Sequence, residues 1–485
     1  MSSGTFLKRS KWVGSILAAV LAAVTTNSAH AAPPDPFAND VTAIRARHII
    51  TVNSGIIDNG IVLIRNGKIV SVGADVKIPV GASILVCDTV MPGIVGLSSQ
   101  IGLSGVPDAP AGFAGPQRGS GPPPTAGVVR QAAANPHYKV SDEIYPFEDV
   151  WTKLAREGVT TLALVPPGAG IPGQGAIIKP AGDSAQAMTL APNGLLAVHF
   201  AANTQTMDLI RSTFEGARPQ PVDPTDDPLS DFLQDGAPRP GATSNSGAPT
   251  AKAAVGAPLA AGVRPPVGAP DPLSGTDTQV RRGQGRGGVR PGGPAGPATG
   301  NQQARQEPVL KAFNGTIPTV ISCTDNASVA YALPLFAAFD KLDPIYVLTA
   351  PDSNRVAALL GEKARSVVLP ASIPVEPLTT NRVNVVAEFV KAGAKVACRP
   401  QTDDLEGYRT LRFQMGQLVK GGLDPDIAIS AITLYPAQML GISTRVGSVA
   451  TGRDANLILL DGGPFEPGTR IRKVLIDGKV AYDGE

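Results

Sequence analysis

The sequence is short of charged residues and of cysteine, and each shortage excludes a class of protein. Charged residues make up 17% of the 485 residues, against about 25% in a typical soluble domain. The net charge of +2 gives no electrostatic basis for binding nucleic acid or an anionic membrane surface. The three cysteines, Cys87, Cys323 and Cys398, are odd in number and widely spaced. They do not form a disulfide framework, and we interpret them as buried free thiols.

Long hydrophobic runs are also scarce, and the one that stands out lies near the start. Basic residues at 8–11 precede an apolar run at 13–24, and Ala29-His30-Ala31 then supplies small residues. The run is shorter than the about 20 residues that a membrane span needs. The pattern predicts an export signal over residues 1–31 and a periplasmic or secreted protein without a membrane span. An uncleaved anchor helix is the alternative.

Both ends of the remaining chain show strand patterns with hairpin turns. Asn66-Gly67 separates apolar residues 61–64 from 69–72, and Asp477-Gly478 separates 471–476 from 480–482. Such dipeptides between alternating apolar residues are typical of β-hairpins. We therefore predict β structure at both ends of the chain, including a strand at 455–460.

The middle of the chain alternates short apolar runs with helical periodicity. Predicted strands lie at 159–165, 319–322, 345–348, 366–369 and 395–397. Predicted helices lie at 150–156, 327–339, 355–360, 382–391, 412–420 and 426–440, with Asp424 or Pro425 near the start of the last. This alternation indicates an α/β fold with a parallel sheet, and the number of units favours a barrel.

Two segments are rich in proline and glycine and show no periodicity. Residues 216–306 are dominated by Pro, Gly, Ala, Ser and Gln, a composition that predicts a disordered insertion. A shorter loop of this kind runs from 107 to 127. Within the insertion, residues 281–290 resemble an RGG box, but a solvated linker is the favoured interpretation in an exported protein. We predict no nucleic-acid partner.

Glycine also clusters at Gly168, Gly170, Gly173 and Gly175, directly after a predicted strand. The spacing fits neither the P-loop nor the dinucleotide-binding fingerprint, so we predict a tight loop.

Histidine is scarce enough to limit the possible metal sites. Once His30 leaves with the predicted signal, only His48, His137 and His199 remain, and no two share a short spacing. Zinc prefers clustered imidazole and thiolate ligands, and the sequence shows no such cluster. One carboxylate group, Asp403-Asp404 with Glu406, follows the predicted strand at 395–397. Active sites of barrels lie in such loops, although consecutive acids are also typical of a solvated loop.

Several motifs resemble the amidohydrolase superfamily and its imidazolonepropionase-like branch. Residues 90–103 (VMPGIVGLSSQIGL) are similar to the first metal motif of that family, Pro-Gly-Leu-Ile-Asp-x-His-x-His. Further similar stretches lie at 157–161, 173–179, 315–318, 432–442 and 446–457. The resemblance implies a distorted TIM (β/α)8 barrel over 93–442 and a small β-sandwich built from 41–92 and 443–485. It also implies one or two divalent metals, such as zinc, that activate water to hydrolyse non-peptide carbon–nitrogen bonds.

The same resemblance locates the positions at which the family holds its metal. The family Asp falls at Gly96 and the two His of the first motif at Ser98 and Gln100. The later ligands fall at Ser322, Thr349 and about Gln401. Neutral hydroxyl and amide groups do not replace imidazole and carboxylate around a divalent transition metal. We therefore predict no bound metal or other cofactor.

Three functional hypotheses follow from the sequence. The first is an exported, metal-free pseudoenzyme that acts as a binding or partner subunit, alone as a homo-oligomer or with an intact amidohydrolase. The second is an active hydrolase of non-peptide carbon–nitrogen bonds with a rebuilt site. The side chains available for it are Asp325, Asp352, Asp403, Asp404 and His199. The third is a surface-interaction protein that acts through the insertion.

Overall fold

The computed structural model describes residues 41–103, 132–218, 299–339, 341–362, 365–376 and 378–484, with only the backbone of 299–305. The predicted export signal, the loop at 107–127 and the RGG-like segment lie outside the described residues. So does the predicted insertion, apart from its two ends. At those ends, Gly216 closes a helix and residues 299–306 begin another. Within the described part of the chain, no helix has the length and apolarity to cross a membrane.

A seven-stranded sheet combines strands from both chain ends. Its order is β16-β15-β14-β4-β1-β2-β3. The strands are β1 (Val41–Ile50), β2 (Ile56–Arg65), β3 (Lys68–Gly73), β4 (Ser83–Pro92), β14 (Leu457–Leu460), β15 (Ile471–Ile476) and β16 (Lys479–Asp483). β4 pairs antiparallel with β14 and so joins the two ends of the chain. The hairpin turns predicted at Asn66-Gly67 and Asp477-Gly478 connect β2 to β3 and β15 to β16, as expected.

The second sheet forms a nearly closed barrel in the order β13-β12-β11-β10-β9-β8-β7-β5. Its strands are β5 (Ile94–Ser99), β7 (Val159–Leu164), β8 (Gly170–Ile178), β9 (Thr189–Phe200), β10 (Thr319–Cys323), β11 (Pro344–Leu348), β12 (Ser366–Pro370) and β13 (Lys395–Arg399). A short strand β6 (Ala133–Ala134) pairs with β8. β8 runs antiparallel to both neighbours, and the other seven strands share one direction. The predicted α/β barrel is confirmed, with one strand reversed.

The glycine cluster after β7 belongs to this reversed strand, so the predicted tight loop is wrong there. Gly170, Gly173 and Gly175 all lie in β8, and only Gly168 remains in the turn. A Cβ atom on Gly173 would lie 2.7 Å from the Tyr138 carbonyl oxygen, and φ of this glycine is +145°. Glycine is used because neighbouring backbone approaches the strand too closely for a side chain.

Ten helices lie in the described residues. They are α1 (Asp149–Arg156), α2 (Ala185–Met188), α3 (Thr204–Gly216), α4 (Thr299–Phe313), α5 (Asn326–Ala337), α6 (Ala357–Gly361), α7 (Val385–Lys391), α8 (Leu405–Lys420), α9 (Pro425–Ile432) and α10 (Leu434–Met439). Short 3₁₀ helices occupy Val140–Glu143 and Ser353–Val356.

Two helix boundaries differ from the sequence prediction for identifiable reasons. The helix predicted at 412–420 begins at Leu405, because the Asp404 carboxylate accepts a hydrogen bond of 2.7 Å from the Gly407 N–H and caps it. The helix predicted at 426–440 is split after Ile432. Pro436 lacks an N–H, and its ring would clash with the carbonyl of residue 432 in a continuous helix. The predicted start at Asp424 is confirmed, since its side chain caps α9.

Apolar side chains fill both sides of the barrel wall. Inside the barrel lie Val95, Leu97, Ala163, Ile177, Leu195, Ala197, Val320, Val347, Val368 and Ala397. Their chain neighbours, including Leu162, Ile321 and Cys398, pack outward against the helices. Because strand side chains alternate between faces, the next inward position of each strand can be assigned from this pattern. Cys323 and Cys398 are buried as predicted, whereas Cys87 is half-buried, and burial raises the pKa of all three thiols to about 12.

Candidate functional site at the barrel mouth

The carboxyl ends of the parallel strands bring two of the predicted positions together with a histidine. Ser322 and His199 lie two residues beyond the inward-facing Val320 and Ala197, and they are paired in register on β10 and β9. Both are half-buried. Thr349 is the first residue after β11, two residues beyond Val347, and it is exposed. These three residues lie at the carboxyl ends of the parallel strands β9, β10 and β11, the end of the barrel that we call the mouth.

The end of β5 is irregular at the position of the first family histidine. Ser98 is buried and has a φ of +65°, and the ladder shifts register between Leu97 and Ser99. As a result Ser99 pairs with Leu164, whose side chain packs outside the barrel. Gln100, the position of the second family histidine, follows this bulge and is half-buried.

Asp403 accepts hydrogen bonds at this bulge with both of its carboxylate oxygens. Its Oδ1 accepts a hydrogen bond of 2.7 Å from the Ser99 hydroxyl, and its Oδ2 accepts one of 2.6 Å from the backbone N–H of Gln100. Ser99 Oγ in turn accepts a bond of 3.2 Å from the Ile101 N–H. The carboxylate therefore joins β5 to the loop after β13, across the junction that the backbone ladder leaves open.

The position of the family aspartate, Gly96, has no room for a carboxylate. A Cβ atom there would lie 2.5 Å from Leu162 Cδ1 and 2.7 Å from the Tyr408 hydroxyl. Tyr408 is buried. Burial raises the pKa of its phenol, the charge of Asp403 acts in the same direction, and a hydrogen bond with Ser99 opposes both. Gly96 thus faces the outer layer of the barrel.

The other acidic and amide candidates have local structural roles. Asp404 caps α8, and Asp325 caps α5 by accepting a bond of 2.7 Å from the Ser328 N–H, which lowers the pKa of Asp325. Asp352 forms an ion pair of 3.5 Å with Arg355. Gln401 is exposed and donates a weak bond of 3.3 Å to the Ala371 carbonyl oxygen.

The residues at the mouth do not fit the divalent metal that the family resemblance implies. Ser98, Gln100, Ser322 and Thr349 offer hydroxyl and amide groups, and the His199 imidazole lies next to Ser322. Nowhere among the described residues do three or more His, Cys, Asp or Glu side chains lie close enough to hold a metal ion. A zinc site would need three or four such ligands.

His199 uses one ring nitrogen in a hydrogen bond to the backbone, and the other is left available to accept a proton. Its Nδ1 lies 2.6 Å from the Gly168 carbonyl oxygen. A carbonyl oxygen only accepts, so Nδ1 carries the proton. Burial lowers the pKa of His199, although the bond to Gly168 opposes this effect, and the neutral ring is favoured. The lone pair is then on Nε2. The sequence named His199 only as a possible replacement, since its neighbours in space are remote in the chain.

Arg399 is a mouth residue that sequence reasoning missed. It is the last residue of β13, two positions beyond the inward-facing Ala397, and it is half-buried in register with Pro370. The alternation of Ala397 with the outward-facing Cys398 is the signal that could have identified it.

Comparison with known proteins agrees with the family resemblance. A model of the amidohydrolase family matches residues 348–481. Adenine deaminase 2 from Jannaschia sp. (strain CCS1) is 42% identical over 89 residues, which are 17% of this chain and 14% of that protein. Imidazolonepropionase from Thermoplasma volcanium is 28% identical over 102 residues, 20% of this chain and 25% of that protein. The chain thus matches a quarter or less of the length of these curated relatives.

A solved structure supports the same architecture over most of the chain. The amidohydrolase from Thermotoga maritima MSB8 superposes with a TM-score of 0.61 at 18% identity. The superposition covers 91% of this chain and 100% of that one. At this level of identity the likeness establishes the fold, and activity has to be argued from the residues at the mouth.

Proposed function

We propose that this chain, which belongs to the amidohydrolase superfamily, is an exported, metal-free member that acts as a binding or partner subunit. The observation that carries the proposal is the chemistry of the mouth. Hydroxyl and amide groups occupy the ligand positions at Ser98, Gln100, Ser322 and Thr349, and the nearby carboxylate of Asp403 has both oxygens engaged. Without a metal, nothing lowers the pKa of a water molecule from about 15.7 towards 7.

The mouth keeps groups that suit binding better than hydrolysis. Nε2 of His199 accepts a hydrogen bond, the Ser322 hydroxyl donates or accepts one, and the Arg399 guanidinium donates several. These groups would hold a small polar ligand by hydrogen bonds alone. Export rests on the pattern at residues 1–31, and the partner would be an intact amidohydrolase or a second copy of this chain.

A specific feature also supports the rival function, hydrolysis of a non-peptide carbon–nitrogen bond. Burial lowers the pKa of His199 and favours its neutral ring, and Nδ1 is held by the Gly168 carbonyl oxygen. Nε2 is then left to accept a proton next to Ser322, the register partner of His199. A positioned imidazole of this kind can act as a general base towards water. The relatives named adenine deaminase and imidazolonepropionase give the substrate class for this alternative.

Turnover assays separate the two functions. The full chain would be incubated with N-acyl amino acids, cyclic amides and aminopurines, with and without zinc or manganese, beside an active amidohydrolase as a positive control. We expect no hydrolysis above the uncatalysed rate. Turnover that disappears in the His199→Asn variant, or with a chelator, would establish the rival function.

The partner role is tested by measuring the molar mass of the protein in solution. Light scattering would be recorded for the chain alone and mixed with an intact amidohydrolase from the same organism. We expect a stable homo-oligomer or a mixed complex. A chain that stays monomeric in both measurements contradicts this role.

A further inference from the structure

Two stacked hairpin turns form the wall of a cleft at the opposite end of the barrel from the mouth. Asn66, Gly67, Asp477 and Gly478 all have left-handed φ values between 49° and 76°. A Cβ atom on Gly67 would lie 2.9 Å from the Asp477 carbonyl oxygen, and one on Gly478 would lie 3.2 Å from Gly67 Cα. The turns therefore pack in backbone contact, which glycine permits. They border a cleft of about 670 Å³.

This cleft collects positive charge from both parts of the fold. Its lining includes four cations, Lys68, Lys179, Arg445 and Lys479, against two carboxylates, Asp454 and Asp477, which leaves a net charge of +2. Lys179 follows the reversed strand β8 of the barrel, and its ammonium group pairs with Asp477 of the end sheet. Only 9% of the Lys179 side chain is exposed.

The Asp454 carboxylate is buried, whereas the Asp477 side chain is 40% exposed and pairs with Lys179. Part of the cationic donor set is also exposed. The Asp454 side chain is 3% exposed and accepts bonds of 2.8 Å from Lys68 Nζ and 2.7 Å from Arg445 Nη2. The side chains of Lys68 and Arg445 are themselves 54% and 45% exposed. Nε and Nη2 of Arg445 are used by Asp454, and Nη1 bonds to no residue in the described structure. Lys479 is exposed and has no ion-pair partner within the described ranges.

We propose that this cleft binds a compact oxyanion, the phosphate or dicarboxylate group of a small molecule. Guanidinium and ammonium groups with unused N–H donors match the lone pairs of such groups. The volume lies within the range of about 300–1,000 Å³ that small-molecule sites occupy. The ligand would contact Arg445 and Lys68 on one side and Lys479 beside the stacked turns. The site is independent of the mouth, so its existence does not depend on the proposed function.

The variants are chosen so that a loss of anion binding can be distinguished from a loss of folding. Asp454 and Lys179 are buried and paired, and Asp477 is the partner of Lys179, so replacing any of the three would disturb the structure itself. Lys68 and Lys479 are more exposed, and the double variant Lys68→Gln/Lys479→Gln removes two charges from the cleft. Lys391→Gln/Lys420→Gln removes two charges from exposed helix ends outside the cleft and is the matched control.

The test is calorimetric titration of the full chain with inorganic phosphate and, separately, with malonate. We expect saturable binding of at least one of these anions, weakened roughly tenfold or more in the cleft variant and unchanged in the control. The preferred anion then identifies the chemical group. Absence of saturable binding for both anions overturns the proposal, and so does equal weakening in the two double variants.

Discussion

The Ser99 hydroxyl donates a hydrogen bond of 2.7 Å to Asp403, from the end of β5 to the loop after β13. These two strands are the ends of the barrel sheet and share no backbone ladder in the described part of the chain. The carboxylate that seemed available for a rebuilt active site instead helps to close the barrel. Each of its oxygens accepts a hydrogen bond from the end of β5, which is a structural role.

Removing this carboxylate should destabilise the fold. Asp403→Ala leaves the Ser99 hydroxyl and the Gln100 N–H without their acceptor, and we expect a loss of about 2–4 kcal/mol in the free energy of unfolding. Asp403→Asn should cost less, because an amide oxygen still accepts from Gln100. Urea denaturation measures both. Gln401→Ala, which changes an exposed side chain of the same loop, should stay within about 0.5 kcal/mol. An Asp403→Ala variant as stable as this control would show that the contact does not stabilise the barrel.

Restoring the family aspartate at Gly96 should damage the protein. Any side chain there meets Leu162 and the Tyr408 hydroxyl, so Gly96→Ala should cost about 1–3 kcal/mol through overpacking. Gly96→Asp should cost more, since it also buries a charge. At Gly216, near the end of α3, an added Cβ meets its nearest atom at 3.8 Å, and Gly216→Ala should not destabilise. Equal stability of Gly96→Asp and wild type would contradict the packing described for β5.

The lowered pKa of His199 predicts a pH dependence of stability with a defined sign. In the window between the lowered pKa and the ordinary value of about 6.5, the unfolded chain binds more protons at this site than the folded chain. The contribution of neutral His199 is therefore complete above about pH 6.5 and is lost as the pH falls towards the lowered pKa. His199→Asn keeps a donor for the Gly168 carbonyl but does not titrate.

The comparison is made by urea unfolding of wild type and His199→Asn across this range. We expect wild type to lose more stability than the variant as the pH falls below about 6.5. Parallel profiles for the two proteins would mean that the ring is not held neutral by the fold.

The barrel and the end sheet could be predicted because their signals are local. The turns at Asn66-Gly67 and Asp477-Gly478 and the alternation of strands and helices are read from neighbouring residues. The reversal of β8 could not be predicted this way, because Gly170–Ile178 has the composition of a loop and becomes a strand only between β7 and β9. The role of Asp403 was equally hidden, since its partner Ser99 lies 304 residues away in the chain.

The most direct measurement is the metal content of the full chain after incubation with excess zinc and manganese and removal of free ions by gel filtration. Our account predicts far less than one ion per chain by elemental analysis. It also predicts more bound zinc in the Ser98→His/Gln100→His/Ser322→His variant, which restores imidazoles at three positions where the family holds its metal. One ion per wild-type chain, lost on His199→Asn substitution, would contradict the account.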